Sequence, residues 1–276
     1  RLLGLRIPGR RCRYTARHTM LYGLAVGFGS DPLDEQELAF VYEHGLKAVP
    51  TQATTVAWDR SWIGASGIDW PKVVHGEQLV RFARTFPPQA DVVSAVRVAE
   101  VLDKGSGALM RVETSLTDAG TGELLCSSTT SFFIRGEGGF ARGARAEPPP
   151  GTKAWPQRPP DAVDHAQTLP NQALLYRLCG DMNPHHVWPA AARAGGFDRP
   201  LLHGLCTYGF ACRAVLRTFC EYDPARLASM DARFLAPVYP GDVLRFEFWR
   251  DGNEVSVRGF VPCSGRAVIE VRAGLR

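Results

Sequence analysis

The chain has no apolar run long enough to cross a membrane as a helix; nothing approaches the roughly 18 uncharged residues such a span needs. It has no CxxC pair. Its 7 cysteines are scattered and odd in number, which excludes a disulfide framework and points to a reducing compartment. It has little net charge: 32 Lys and Arg against 28 Asp and Glu leave +4. That excess is too small to argue for nucleic acid but suits an anionic ligand such as a phosphorylated cofactor. Established metal-ligand spacings are missing. So are phosphate-cradling loops, because neither Gly105-Ser106-Gly107 nor Gly136-Glu137-Gly138-Gly139 sits between a strand and a helix. No secretory signal is apparent, and the first residue is Arg1 rather than Met, so a trimmed targeting segment stays open.

What is present is ordinary globular composition, 45% hydrophobic and 22% charged over 276 residues, enough for one large domain or two small ones. Thr15 is a plausible cap for a helix whose apolar face is Met20, Leu21, Leu24 and Ala25, ended by Gly27-Phe28-Gly29. Arg11 and Arg13 before it read as a solvated patch, Leu38 to Tyr42 as a short strand, and Trp58 to Trp70 as a loop. A strand-rich block follows. Gln78 to Ala83, Ala90 to Asp103, Gly107 to Leu116 and Glu123 to Ile134 are separated by Gly-bearing turns, which predicts an antiparallel meander. Seven prolines between Glu147 and Pro170 predict a semi-rigid linker. Residues 1–146 and 171–276 are then two halves.

In the second half, Leu202 to Phe219 reads as one long helix. Arg213 and Arg217 lie on its wet face; Leu205, Tyr208, Cys212, Val215, Leu216 and Phe219 are to be buried. Ser229 to Leu235, Val243 to Trp249, Glu254 to Val261 and Ala267 to Ala273 form a second meander. So apolar a helix needs cover on most of its circumference, and a curved sheet supplies it. A weak repeat relates the halves: Met20-Leu21-Tyr22-Gly23-Leu24 to Leu174-Leu175-Tyr176-Arg177-Leu178, and His75-Gly76 to His203-Gly204.

The chemistry concentrates in Tyr176-Arg-Leu-Cys-Gly-Asp-Met-Asn-Pro-His-His186. Gly180 admits backbone angles a Cβ forbids, and Pro184 pushes Asn183 towards an extended conformation. Asp181, Asn183 and His186 are thereby presented together, and a carboxylate and an imidazole sharing one water can act as an acid–base pair. Residue types alone leave a second reading open: a turn that caps the next helix.

The same stretch, followed by Gly196-Phe-Asp-Arg-Pro-Leu-Leu-His-Gly204-Leu-Cys-Thr207, resembles the MaoC-like, type 2 (R-specific) enoyl-CoA hydratases, which include the hydratase part of the peroxisomal multifunctional enzyme. Tyr14-Thr15, Tyr42-Glu43, Pro50-Thr51, His75 to Gln78, Asp103 to Gly105 and Arg233-Phe234 through Pro240-Gly241 fit it in order, so the resemblance covers nearly the whole chain. It implies an α+β double hot-dog fold: two curved antiparallel sheets, each wrapped on a helix and joined into one unit. It also implies reversible hydration of trans-2-enoyl-CoA to (3R)-3-hydroxyacyl-CoA, without cofactor or metal.

By the motif, Asp181 and His186 are the catalytic pair, Asn183 orders the water and the Gly204 N–H is the oxyanion donor. Substrate contacts fall on His75, Gly76, Lys104, Met182, Pro184, His185 and Phe234. The N-terminal half then binds substrate but is catalytically degenerate, and a homodimer in the cytoplasm of a bacterium or the peroxisome of a eukaryote is expected. His185 and Trp188 depart from the pattern. Three rivals are weighed: a metal site from Asp181, His185, His186 and His203, an acyl-CoA thioesterase, and a non-catalytic acyl-CoA-binding protein on the same fold.

Overall fold

The computed structural model describes residues 5–56, 66–69, 72–140 and 155–276. Its strands are β1 (Arg6–Tyr14), β2 (Val73–Phe82), β3 (Ala90–Asp103), β4 (Gly107–Asp118), β5 (Leu124–Arg135), β6 (Ala162–Gln167), β7 (Leu227–Phe234), β8 (Val243–Asp251), β9 (Glu254–Val261) and β10 (Arg266–Leu275). They form one 10-stranded sheet in the order β1-β3-β4-β5-β2-β7-β10-β9-β8-β6. That order is a palindrome. β6, β8, β9, β10 and β7 repeat the arrangement of β1, β3, β4, β5 and β2, and the halves meet where β2 runs antiparallel to β7, from Glu77 opposite Arg233 to Arg81 opposite Ser229. A two-pronged ion pair between Arg81 and Asp231 crosses this seam. The result is the double hot-dog expected, with both meanders in place.

The long helix spans Gly204–Phe219 and is buried from Leu205 to Leu216. The inner face of the second meander closes over it with Leu244, Phe246, Phe248, Val255, Val257, Val271 and Ala273. Burial of each such large aliphatic or aromatic side chain is worth about 1.5–3 kcal/mol. Tyr208 anchors the helix to β7 by donating its hydroxyl to the Met230 carbonyl at 2.8 Å.

Several local expectations need correction. Arg213 is not on a wet face: it is 4% exposed, and its Nη2 lies 2.6 Å from Oε1 of Glu37, which is 0% exposed. Leu38 to Tyr42 is not a strand. Asp34 accepts the Gln36 and Glu37 N–H groups and caps a short helix, Glu35–Leu38, whose turns run on to Tyr42. The first helix, Ala16–Ala25, buries Thr19, Tyr22, Gly23 and Ala25, while Leu24 is exposed. Its cap is reciprocal, with the Thr15 N–H donating to Nδ1 of His18 at 3.1 Å. The Arg11–Arg13 patch is exposed but belongs to the edge strand β1. The proline-rich stretch is not linker throughout, because 162–167 is β6, paired along β8. Most of Trp58 to Trp70 lies outside the described residues.

The repeat holds in part. Tyr22 and Tyr176 are both fully buried, with rings 6.1 Å apart, on helices that face each other between the halves. His75-Gly76 and His203-Gly204 do not correspond, since the first lies in β2 and the second begins the long helix.

Candidate active site

The Gly180 to His186 loop has the local form its residues dictate. Gly180 sits at φ +131°, a conformation that favours glycine, and Asn183 is extended at ψ 125° before Pro184. Pro184–His186 then makes one 3₁₀ turn. A cleft of about 520 Å³ opens between this loop, the start of the long helix, the start of β2 and the segment after β7. Asp181, Asn183, Pro184, His185, His186, Gly204, His75 and Phe234 all line it. Gly76, Lys104 and Met182 are not among its lining residues. Met182 points away, 47% exposed. Gly76 sits at a register break between β2 and β5, where the bulge turns His75 towards the cleft. Lys104 occupies the β3–β4 turn, which bonds to the Arg135–Gly136 end of β5 through the Gly136 N–H to Ser106 carbonyl contact.

The tautomer of His186 follows from its partner. Nδ1 lies 2.9 Å from the Leu201 carbonyl, and a carbonyl only accepts, so Nδ1 carries the proton. Nε2 then holds the lone pair, and it faces Oδ2 of Asp181 at 4.0 Å. That separation is too long for a direct hydrogen bond. A water about 2.8 Å from both atoms would subtend roughly 90° between them, so its two hydrogens can serve both. Asp181 is itself held, its Oδ1 accepting the Asn183 N–H at 3.1 Å. Burial pushes the His186 pKa well below the ordinary value, and neighbouring His203 and His185 add to the shift; the Asp181 carboxylate opposes it. His186 is therefore neutral at pH 7.

Gly204 opens the long helix, where the first N–H groups have no acceptor four residues back. Cys206 and Thr207 both donate to the His203 carbonyl, which leaves the Gly204 N–H for a ligand oxygen. A Cβ at Gly204 would lie 3.3 Å from the Phe234 ring, so glycine also keeps the approach to that N–H open. His75 donates from Nε2 to the Glu77 carbonyl at 3.1 Å and packs against Phe132 and Phe234. Burial lowers its pKa to about 4, so it too is neutral.

His203, which the sequence offered only as a candidate metal ligand, is 1% exposed and stacks on His186 with ring centroids 3.6 Å apart and planes 23° apart. One residue of the site escaped sequence reasoning altogether. Arg135, exposed at the end of β5, lines the cleft beside Val73 and His75; no local pattern marked it. His185 packs edge-on against His186 at 4.0 Å, and Trp188, 61% exposed, stands just before the short helix Pro189–Ala194.

Donor atoms of Asp181, His186 and His203 lie within 4.8 Å of one another. They do not fit a metal ion well. Imidazole binds a metal in its own plane, and two rings stacked nearly parallel direct their lone pairs side by side rather than to one point.

Comparison with known proteins covers both halves. The family described as "MFE-2 hydratase 2 N-terminal domain" matches residues 12–136, and "MaoC like domain" matches 152–261. The Arabidopsis thaliana protein named Enoyl-CoA hydratase 2, peroxisomal, is 37% identical over 92% of this chain and 87% of its own length. Enoyl-CoA hydratase ChsH3 of Mycobacterium tuberculosis is 37% identical over 97% of this chain and 94% of its own. Among solved structures, the MaoC-like dehydratase from Phytophthora capsici superposes with a TM-score of 0.86 at 28% identity, over 100% of this chain and 96% of that one.

Proposed function

The chain belongs to the MaoC-like hydratase 2 family, and from that premise we propose that its cleft adds water reversibly across trans-2-enoyl-CoA to give (3R)-3-hydroxyacyl-CoA. The observation that carries the residue assignment is the geometry of His186. With Nδ1 fixed to Leu201, Nε2 is a base that faces Asp181 across 4.0 Å, a gap that one shared water would bridge.

The steps then balance. Water gives one proton to Nε2 as its oxygen bonds to the β-carbon. The C=C electron pair moves towards the α-carbon and the thioester oxygen. The Gly204 N–H, aligned with the helix dipole, receives the charge on that oxygen. The imidazolium, stabilised by Asp181, returns its proton to the α-carbon on the same face, so addition is syn and both side chains recover their starting states. Asn183 orders the loop and the water. No step calls for a metal or for a cofactor beyond the CoA of the substrate.

The apolar wall, including Val73, Phe132, Phe234, Val238 and Val268, suits an acyl chain. Arg135 at the mouth, with Lys104 in the adjoining turn, suits the phosphates of CoA. Incubation with trans-2-enoyl-CoA and chiral analysis of the product tests the reading. The expected result is loss of enoyl absorbance without thiol release and a (3R) product. Free CoA, or an unchanged substrate with folded protein, refutes it.

A further inference from the structure

One buried side chain in the site has no part in the proton transfers above, yet touches every group that does. His203 lies between two rings: His186 at 3.6 Å on one side and Tyr176 at 4.9 Å on the other. Its Nε2 lies 3.1 Å from the main-chain carbonyl of Asp181, so Nε2 carries the proton and donates it. Its own carbonyl accepts from Cys206 and Thr207 and so starts the long helix whose first N–H belongs to Gly204. The base and the carboxylate come from one loop and the oxyanion donor from the start of the long helix, and this one residue joins the two: it stacks on His186, bonds the Asp181 main chain and directly precedes Gly204.

We infer that His203 is a positioning residue for the hydration reaction, fixing the distances among His186, Asp181 and the Gly204 N–H while remaining a neutral imidazole; the inference rests on the proposed acid–base roles of Asp181 and His186. A histidine suits the place better than an apolar ring or an amide alone. The flat face fills the space against His186, and the edge supplies a donor for the Asp181 carbonyl. Nδ1 is buried and without a partner, so the ring is not held there for that nitrogen's sake. Burial and the nearby His185 and Arg177 keep the ring uncharged, with the pKa at about 3. A cation stacked on His186 would oppose the imidazolium that must form there. The groups that face this pair are Asp181, His185, Tyr176 and Arg177, and of these Asp181 alone favours positive charge.

The two functions of the ring separate in two variants. His203→Phe keeps the stacked face and loses the donor. His203→Gln places an amide N–H near the position of Nε2 and loses the face. Steady-state kinetics with a trans-2-enoyl-CoA, taken across pH 5 to 9, should show kcat reduced about 10- to 100-fold in His203→Phe with KM changed less than about threefold. His203→Gln should fall between that variant and the parent. With active sites counted by titration with a tight, non-reacting acyl-CoA analogue, the loss should appear in kcat per active site in both variants, because the ring sets distances rather than charge. A merely structural residue would lower the active fraction and leave kcat per active site unchanged. Folding is checked by thermal midpoint, and the Gln variant decides if the Phe variant does not fold.

His186→Ala and Asp181→Asn run in the same assay. If both keep parental rates, the acid–base reading itself is wrong. If both lose activity while the His203 variants keep kcat per active site within about twofold, only the role given to His203 is overturned.

Discussion

Replacing Arg213 should destabilise the protein far more than replacing any other arginine of the long helix. Arg213 reaches from that helix to the Glu35–Leu38 turn of the other half. Its Nη2 is 2.6 Å from Oε1 of Glu37 and donates to Ser30 Oγ at 3.1 Å. The other carboxylate oxygen accepts the Gly29 N–H at 2.9 Å. The charge contact is close but poorly directed, since Oε1 of Glu37 and Nε of Arg213 find no partner in hydrogen-bond geometry. The pair itself therefore adds little, and the cost arises when it is broken. Arg213→Ala strands a carboxylate at 0% exposure, with an expected loss of about 3–5 kcal/mol. That is a large fraction of the roughly 5–15 kcal/mol that holds a typical domain folded.

Arg213→Met combined with Glu37→Gln removes both charges and keeps an acceptor for Gly29. It should cost less than about 1.5 kcal/mol, at least about 1.5 kcal/mol less than stranding the carboxylate alone. Urea denaturation at pH 7.5, read at constant m-value, measures all four proteins. Arg217→Ala is the control: that side chain is 46% exposed, 3.7 Å from Asp164, and should cost under about 1 kcal/mol. A loss below about 1 kcal/mol in Arg213→Ala, or a double variant no more stable than the worse single, would refute the reasoning.

Asp181→Asn and His186→Ala should each lower kcat by roughly 10²–10⁴-fold with the fold intact; parental turnover in either removes it from the mechanism. Stability should fall as pH drops from about 6.5 towards 4, because the unfolded chain binds protons that buried His75 and His203 refuse, with folded pKa values of about 4 and 3. The folded forms are fully favoured above that window. Urea midpoints at pH 7.5 and 5.0 measure the slope, and His203→Gln should flatten it. Arg135→Ala should raise KM for an acyl-CoA severalfold with little change in kcat, and the difference should shrink with a pantetheine thioester that lacks the nucleotide phosphates. A chelator should leave activity unchanged; a loss restored by added zinc would contradict the argument from the stacked rings.

The meanders were legible in most of their strands, although β2 begins at Val73 rather than Gln78 and the edge strands β1 and β6 were not read as strands. Alternation of buried side chains and Gly-rich turns are local signals, and β3 (Ala90–Asp103) and β9 (Glu254–Val261) match their expected bounds. The errors lie where a distant partner decides the outcome. Arg213 carries the pattern of a solvent-facing residue, and only the arrival of Glu37 from the other half reverses it. Leu38 to Tyr42 is a short apolar run, which periodicity cannot assign, and the Asp34 cap settled it as helix. In the site, Asp181, Asn183 and His186 could be read together because they are neighbours in sequence. The contact of His203 with Asp181 and His186, and the place of Arg135 at the cleft, arise only from the way the sheet and helix close.

The palindromic sheet has a consequence for how such a site could arise. In two identical subunits every substitution appears twice, so a residue that improves one copy of a site is forced on the other as well. Joining the copies in a single chain lifts that constraint. The paired tyrosines record the divergence. Tyr22 donates its hydroxyl to Thr51 at 3.0 Å and serves as internal scaffolding. Its counterpart Tyr176 faces His203 instead, and its hydroxyl is left without a partner. The hydroxyl is satisfied in one half and unpartnered beside an imidazole in the other. On the proposed chemistry the first half carries no proton transfer, so it is free to drift towards the shape of whatever acyl group the chain must hold, while the second stays under the stricter demands of that transfer.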